Sequence, residues 1–482
     1  LKQWFHSERT FSVRIFILAL LIRLIPVMLS FDLGIGLDDM FQYDMLARSI
    51  EAGNGYRWYA QDDLYLAQQY IDFDMSDVDY DPRGVLTSFR PPLYPAFLAL
   101  VYSIFGTGAK RFFIARIVQT FVSASLVPLI FVISKSIFPA NTKSSKVTAW
   151  IVALYPMLVI YPLSLATENL FFLLILTSVW VLLIAERKRR WYWFALAGIL
   201  LGMTALTRSV ALAFAGLVIV WAWLILKEFK YALIILITIG VVIVPWMLRN
   251  TLLHHKLTGI ESALGYDLYV GYHPDSTGTF QYGISLDLIP YLDDGLRDEI
   301  GQSKAFEYIK SNPGRIPYLM IRRLGYFWGL ERRALTYFYS NNFFGYISEI
   351  PLILISVLLL IPFVIVSLSA TFGIAVIRWN QINILIVILV LGYLIPHIFI
   401  LGEDRFHLTL VPFLAIPAAY IWGGGRLLMK ERWQTSSGKI AIVLAIFLTV
   451  LLIANWTFEL YRDRHMISLL FGPDGNKTFF PY

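Results

Sequence analysis

The feature that most limits this chain is the recurrence of apolar runs about as long as a bilayer is thick. "FSVRIFILALLIRLIPVMLSF" (11 to 31) is the first, and similar runs return to the end of the sequence. A helix needs about 20 apolar residues to cross the hydrocarbon with its backbone satisfied internally, so these runs are read as membrane spans. With 58% hydrophobic and 15% charged residues, the 482-residue chain is excluded from the ordinary soluble class. The fold class expected is an all-α polytopic membrane protein. The first run holds Arg14 and Arg23 and lacks a small-residue cleavage site after it, which favours an anchored helix over a removed signal peptide.

The formal charge of +7 sits mainly in short connections: "KSIFPANTKSSK" (135 to 146), "ERKRR" (186 to 190), "KEFK" (227 to 230), "RWNQ" (378 to 381) and "RLLMKER" (426 to 432). Positive residues in short loops mark the cytoplasmic side, so topology accounts for the charge and no nucleic-acid partner is implied. Placing all of them inside gives eleven spans: 12 to 30, 112 to 134, 147 to 163, 168 to 185, 191 to 207, 209 to 226, 231 to 248, 350 to 377, 382 to 400, 406 to 425 and 439 to 457. The N-terminus is then cytoplasmic and the C-terminus extracytoplasmic. "PPLYPAFLALVYSIFG" (91 to 106) is apolar but short and opens on paired prolines; counting it as a span would send "ERKRR" outside, so it is read as a juxtamembrane or re-entrant helix.

Three regions follow: a membrane module over 1–248 that includes a long extracytoplasmic loop (31–111), a second large loop over 249–349, and C-terminal helices over 350–482. The second loop holds "GYDLYVGYHPDSTGTF" and an amphipathic helix around "DEIGQSKAFEYIKSNPGRIPYLMIRRL". Long loops in a compact protein are usually functional. The sequence shows neither a short-period repeat nor matched halves with broken helices, the pattern of many transporters. Zero cysteines exclude a disulfide, a thiolate zinc site and a thiol nucleophile.

On the predicted outer face, ionisable residues collect at the helix ends: Asp38 and Asp39, Arg90, Glu168, Arg208, Arg249, then Glu403, Asp404, Arg405 and His407. Charge at membrane depth is costly unless it is paired or hydrated, so this one-sided placement points to a polar cavity between helix tops. Interfacial caps and snorkelling anchors account equally well for Glu168, Arg208 and Arg249.

Five segments carry a resemblance. "DMFQYDMLARSIEAGNGY" has an acid (Asp39) four residues before Tyr43, "RPPLYPAFLALVYSIFG" opens on Arg90, "LATENLFFLL" holds Glu168, "LLGMTALTRSVAL" holds Arg208, and "EDRFHLTLVPFLAIPAA" holds Glu403 and Arg405. In order, spacing and sidedness they resemble the C-type (GT-C) glycosyltransferases, in the group of protein O-mannosyltransferases and lipid A aminoarabinose transferases.

The resemblance implies a GT-C architecture and transfer of one sugar from a polyprenyl-phosphate donor to a lipid, glycan or protein acceptor outside a prokaryotic plasma membrane. It also implies inversion, with Asp39 as general base, Asp38 in support, and Arg90, Arg405 and Arg208 on the donor phosphate. Tyr43, Glu168, Tyr269, His273, Glu403 and His407 are the expected substrate contacts, with Tyr266 and Tyr272 as further stacking candidates; a packed aromatic loop explains the tyrosines and His273 equally well. No cofactor is required. Members with a metal site carry a ligand directly before the basic residue, where this chain has Phe89, which counts against a divalent cation.

The acid-rich "DFDMSDVDYD" (72 to 81) has the composition of a calcium loop without EF-hand spacing. "NKT" at Asn476 is a bare glycosylation sequon. Two other classes stay open: a secondary transporter or flippase for a lipid-linked sugar, which should bind near the bilayer midplane, and an oligosaccharide ligase, which would take an oligosaccharide donor.

Overall fold

The computed structural model describes residues 8–475 apart from 37, 76–77, 333–334, 336–338, 340–344 and 379. It is built almost wholly of helices, with one two-stranded antiparallel pair, Arg57–Trp58 against Val85–Leu86. Among the described residues eight helices are long and apolar enough to cross a membrane: Glu8–Leu29, Arg111–Ile137, Glu168–Lys188, Phe229–His254, Glu349–Val376, Gln381–Phe399, Val411–Trp433 and Ser436–Arg462. A ninth candidate is the bent pair Thr142–Leu154 and Pro156–Leu163.

All eleven expected spans are helical among the described residues, and eight or nine of them are long enough to cross by themselves. The two others exist as shorter helices, Trp191–Thr207 of 17 residues and the 15-residue Ala211–Ile225, whose last turn is a π-helix. At 1.5 Å per residue they reach about 25 and 22 Å, short of a hydrocarbon core of about 30 Å. The 91 to 106 segment forms a helix over Leu93–Phe105, too short to cross and packed on Asp39–Glu51.

The bent span explains a buried charge. Tyr155 is extended (ψ 115°) and Pro156 opens the next helix, so the backbone breaks and the carbonyls before it lose their helical donors. Arg23, fully buried in the first helix, supplies the replacement: its guanidinium donates to the carbonyls of Val152 (2.9 Å) and Ala153 (3.0 Å) and to Ser123 Oγ (3.0 Å). A charge inside the first span thereby completes its neighbour's backbone. Elsewhere small residues let helices close up: a Cβ on Gly198 would lie 2.0 Å from Thr238 Oγ1.

The two long loops fold together. The first supplies Asp39–Glu51, Gln61–Ala67, the strand pair and Leu93–Phe105; the second supplies Leu264–Tyr272, Tyr282–Ser285, Asp294–Ser311 and Arg315–Phe327. The single amphipathic helix expected near 298 to 324 is two helices, because Pro313 lacks the donor a continuous helix needs. Trp58, Tyr59, Phe73 and Phe89 of the first loop share a core with Tyr266, Tyr269, Leu288 and Leu292 of the second. Asp74 forms a parallel bridge with Tyr291. Buried Asp294 accepts from Thr87 Oγ1 (2.9 Å) and the Ser88 amide (2.6 Å), fixing the backbone just before Arg90.

Candidate functional site

Asp38 and Asp39 stand at the start of one helix and take different positions. Asp38 is the N-cap, its Oδ1 accepting from the Met40 amide at 2.9 Å. Asp39 is the first helical residue, and Gln42 and Tyr43 follow three and four positions on, along the same face. Arg90 Nη2 donates to Asp39 Oδ1, and its Nε donates to Gln42 Oε1 at 2.8 Å. Tyr43 is buried beneath this pair, its ring 5.6 Å from the Arg90 guanidinium; burial pushes its phenol up to about 12 and keeps it protonated.

Arg405 reaches the same carboxylate from the far end of the chain. It lies in a short 3₁₀ segment, Asp404–Thr409, between two membrane helices; its Nη1 is 3.7 Å from Asp39 Oδ2 and its Nε 2.6 Å from Glu403 Oε2. Burial alone would lower the Arg405 guanidinium, yet the carboxylates of Glu403, Glu168 and Asp39 hold it well above its ordinary value. Asp39 keeps 38% of its side chain exposed and so remains open to a ligand.

Glu168 begins a membrane helix and pairs with Arg208, at the end of Trp191–Thr207, at 2.5 Å. Arg208 also donates to Thr167 Oγ1 (3.3 Å) and lies 5.4 Å from the Phe406 ring. Asp39, Arg90, Glu168, Arg208, Glu403 and Arg405 thus gather as three arginine–carboxylate pairs.

Two carboxylates of this cluster carry no motif and escaped sequence reasoning. Glu261 accepts from Ser209, the residue after Arg208, and burial raises its carboxyl. Asp267, in Leu264–Tyr272, is pushed up to about 7, first by burial and then by Glu261, against the pull of Arg90. Their loop position next to an unremarkable "ESALGYD" gave no signal beyond acidity.

Several expected contacts lie apart from the carboxylate cluster. His407 is fully buried, with Nδ1 2.7 Å from the Phe327 carbonyl, Nε2 3.1 Å from Glu331 and its ring stacked on Phe363 at 4.0 Å. In a 3₁₀ turn of about three residues, His407 lies roughly 240° around the axis from Arg405 and is turned into the protein. Tyr269 is buried, donating to Asp287 at 2.7 Å, and His273 packs edge-on against Tyr269 and Tyr308. Tyr266 and Tyr272 are also buried, Tyr272 donating to the Phe399 carbonyl at 2.7 Å. These rings form a packed aromatic loop. Arg249 is structural as well, donating to the Thr87 carbonyl at 2.6 Å.

The residues do not fit a metal beside Arg90. Phe89 is buried, its ring centroid 4.9 Å from the Arg90 guanidinium and 4.2 Å from that of Arg297, which places cations where a metal ligand would be needed. Among the described residues one group of three could hold an ion, His254, Asp293 and Asp294. Its atoms are already engaged: Asp293 Oδ1 caps the Gly295 and Leu296 amides, Asp294 Oδ2 takes several donors, and His254 Nε2 meets Ser88 Oγ at 2.7 Å. In the acid-rich 72 to 81 stretch Asp81 pairs with Arg83 at 2.6 Å; Asp77, like Asn476, lies outside the described residues.

Comparison with known proteins agrees with this architecture. Residues 89–248 match the dolichyl-phosphate-mannose-protein mannosyltransferase family. No curated protein matches the chain. The Archaeoglobus fulgidus oligosaccharyltransferase tethered with an acceptor peptide is similar in fold at 12% identity and a TM-score of 0.50, over 99% of this chain and 60% of that one. The same archaeal enzyme with an inhibitory peptide and a dolichol-phosphate gives 12% identity, the same coverage of both chains, and 0.47. ArnT from Cupriavidus metallidurans bound to undecaprenyl phosphate gives 13% identity and 0.39, over 87% of this chain and 80% of that one. The chain spans about 60% of the length of the oligosaccharyltransferase it matches. It is a polytopic membrane protein that shares its fold with the archaeal oligosaccharyltransferase, and its residues 89–248 carry the match to the dolichyl-phosphate-mannose-protein mannosyltransferase family.

Proposed function

We propose that this protein transfers a single sugar from a polyprenyl-phosphate donor to an acceptor hydroxyl on the extracytoplasmic side of a prokaryotic membrane, with inversion at the anomeric carbon. The observation that carries the reading is the part-exposed Asp39 carboxylate held between Arg90 of the first loop and Arg405 of the short segment between two membrane helices. The sidedness rests on the basic connections, which fall at the opposite helix ends.

In this reading the acceptor oxygen attacks the anomeric carbon as the bond from that carbon to the phosphate oxygen breaks. The bonding pair leaves with the phosphate, and the hydroxyl proton passes to Asp39. Arg90 and Arg405 neutralise the charge gathering on the leaving phosphate, a task suited to planar guanidiniums. Both already hold Asp39, so donor and base compete for the same cations. When the phosphate draws the arginines away, Asp39 becomes more basic, which ties base activation to donor binding. Arg208, paired with Glu168, lines the site beside them with N–H donors, and Asp38 fixes the helix start from which Asp39 projects. The boundaries proposed for the working parts are the membrane module 1–248, the capping loop 249–349 and the helices of 350–482.

The test is to incubate purified protein with a panel of polyprenyl-phosphate sugars and follow release of the free carrier. Carrier release by wild type with one member of the panel, and release at least about 100-fold slower by Asp39→Asn, supports the proposal; near-normal turnover by Asp39→Asn would falsify the catalytic assignment.

A further inference from the structure

The helix that presents Asp39 has a second functional face. Phe41, Asp44 and Arg48 recur at helical spacing, and Phe41, two residues beyond Asp39, is turned about 200° around the axis. These side chains line a cavity of about 320 Å³ together with Ile35, Asp63, Leu66, Arg111 and Phe112. That volume is within the range of small-molecule sites, roughly 300 to 1,000 Å³.

Its charges are balanced and incompletely used. Asp44, almost fully buried, accepts from Arg48 Nε (2.8 Å), Arg111 Nε (2.8 Å), Arg111 Nη2 (3.2 Å) and the Tyr102 hydroxyl (2.9 Å). It is saturated and acts as the scaffold. Arg48 also donates from Nη2 to Asp63 Oδ1 at 2.8 Å. Arg48 Nη1 and Asp63 Oδ2 make no bond among the described residues, and the arginine side chains keep 27% and 22% of their surface open. The wall therefore offers a ligand both a cationic and an anionic edge with no net charge.

The surroundings place this wall at the membrane boundary. The first membrane helix ends at Leu29, and Phe31 just beyond it packs on Phe113 at 4.5 Å, in the first turn of the Arg111–Ile137 membrane helix. Leu29, Phe31, Tyr65 and Leu66 are all exposed. Exposed apolar groups around a charged recess suit a molecule with acyl chains and a polar head.

We propose that this cavity binds the headgroup of a zwitterionic phospholipid with a primary ammonium, its phosphodiester toward Arg48 and Arg111 and its ammonium on Asp63. Phosphatidylglycerol offers Asp63 a neutral hydroxyl in place of an ammonium, and a quaternary ammonium has no N–H to give Asp63. Binding here and sugar transfer occupy opposite faces of one helix, so the proposal stands whether or not Asp39 is the base.

The test uses the delipidated full chain in detergent, mixed with phosphatidylethanolamine, phosphatidylglycerol, phosphatidylcholine or soluble glycerophosphoethanolamine. Native mass spectrometry reads retained lipid, and thermal unfolding reads stabilisation. Phosphatidylethanolamine should be retained about tenfold better than the other two lipids, the gain expected of one charge-assisted hydrogen bond. Leu66→Trp, which fills the cavity and leaves every ion pair intact, should abolish the preference. Asp63→Asn should remove it while leaving phosphatidylglycerol binding equal or improved. Equal retention of the three lipids by wild type, or an undiminished preference in both variants, overturns the proposal. Competition by the soluble head at the same concentration as the lipid overturns the lipid as its source.

Discussion

Arg405 faces Asp39 Oδ2 at 3.7 Å, while Arg90 holds Oδ1, so one carboxylate is bracketed by guanidiniums 315 positions apart in the chain. Neither partner is a sequence neighbour of Asp39, and the cluster exists only in the folded protein.

Removing the Asp39 charge while keeping its shape isolates its chemistry. Asp39→Asn should lower carrier release by at least about 100-fold, the lower range for loss of general base assistance, with donor binding retained or tightened because both arginines are freed. A binding assay with labelled polyprenyl phosphate beside single-turnover kinetics checks both parts. Weaker donor binding in this variant would contradict the competition between Asp39 and phosphate.

The arginine on the other side separates charge from geometry. Arg405→Lys keeps a cation but loses the planar fork that spans Glu403 and Asp39, so it should raise the apparent KM for donor by about tenfold; Arg405→Ala should add a fall in kcat. Steady-state kinetics over a donor titration distinguish the two, and unchanged kinetics in both variants count against a phosphate contact.

The raised Asp267 carboxyl makes stability depend on pH. Below about pH 4 it is protonated in both folded and unfolded chains; between there and about 7 the unfolded chain ionises while the folded one keeps its proton. The folded state then binds more protons, so this contribution falls as pH rises through that window and is lost above about 7. Asp267→Asn should flatten the decline in Tm between pH 5 and 8, as measured by thermal unfolding in detergent. A slope equal to wild type would refute the burial effect.

His407 is expected to matter for stability alone. It joins Phe327 and Glu331 inside the protein, so His407→Ala should cost about 3 kcal/mol through the polar groups left unpaired. Denaturation midpoints and activity per folded molecule are the paired measurements: a lower midpoint with unchanged specific activity is the expected result.

The membrane helices were legible because hydropathy reports burial in lipid directly, and their ends were legible because charge stops there. The gathering of Asp39, Arg90, Glu168, Arg208 and Arg405 followed from counting sides, since helix ends on one face must meet. Glu261 and Asp267 were invisible because a loop has no period from which to infer direction, and only its packing under the first loop brings them in. His407 misled for the converse reason: proximity to Arg405 in sequence says nothing of orientation in a tight 3₁₀ turn. The expected spans 191 to 207 and 209 to 226 are present as Trp191–Thr207 and Ala211–Ile225, helices whose positions the apolar letters marked although each is short for a full crossing.

The bond from Ser88 to Asp294 has a consequence for the order of synthesis. The segment leading into Arg90 emerges from the ribosome some 200 residues before the acid that anchors it, and Arg405 follows about 110 residues later still. During that interval the first loop lacks its partner, and the aromatic side it later buries against the second loop is uncovered. The cluster around Asp39 is thereby incomplete until residue 405 has been made, and a chain terminated before it leaves Asp39 without one of its two cations.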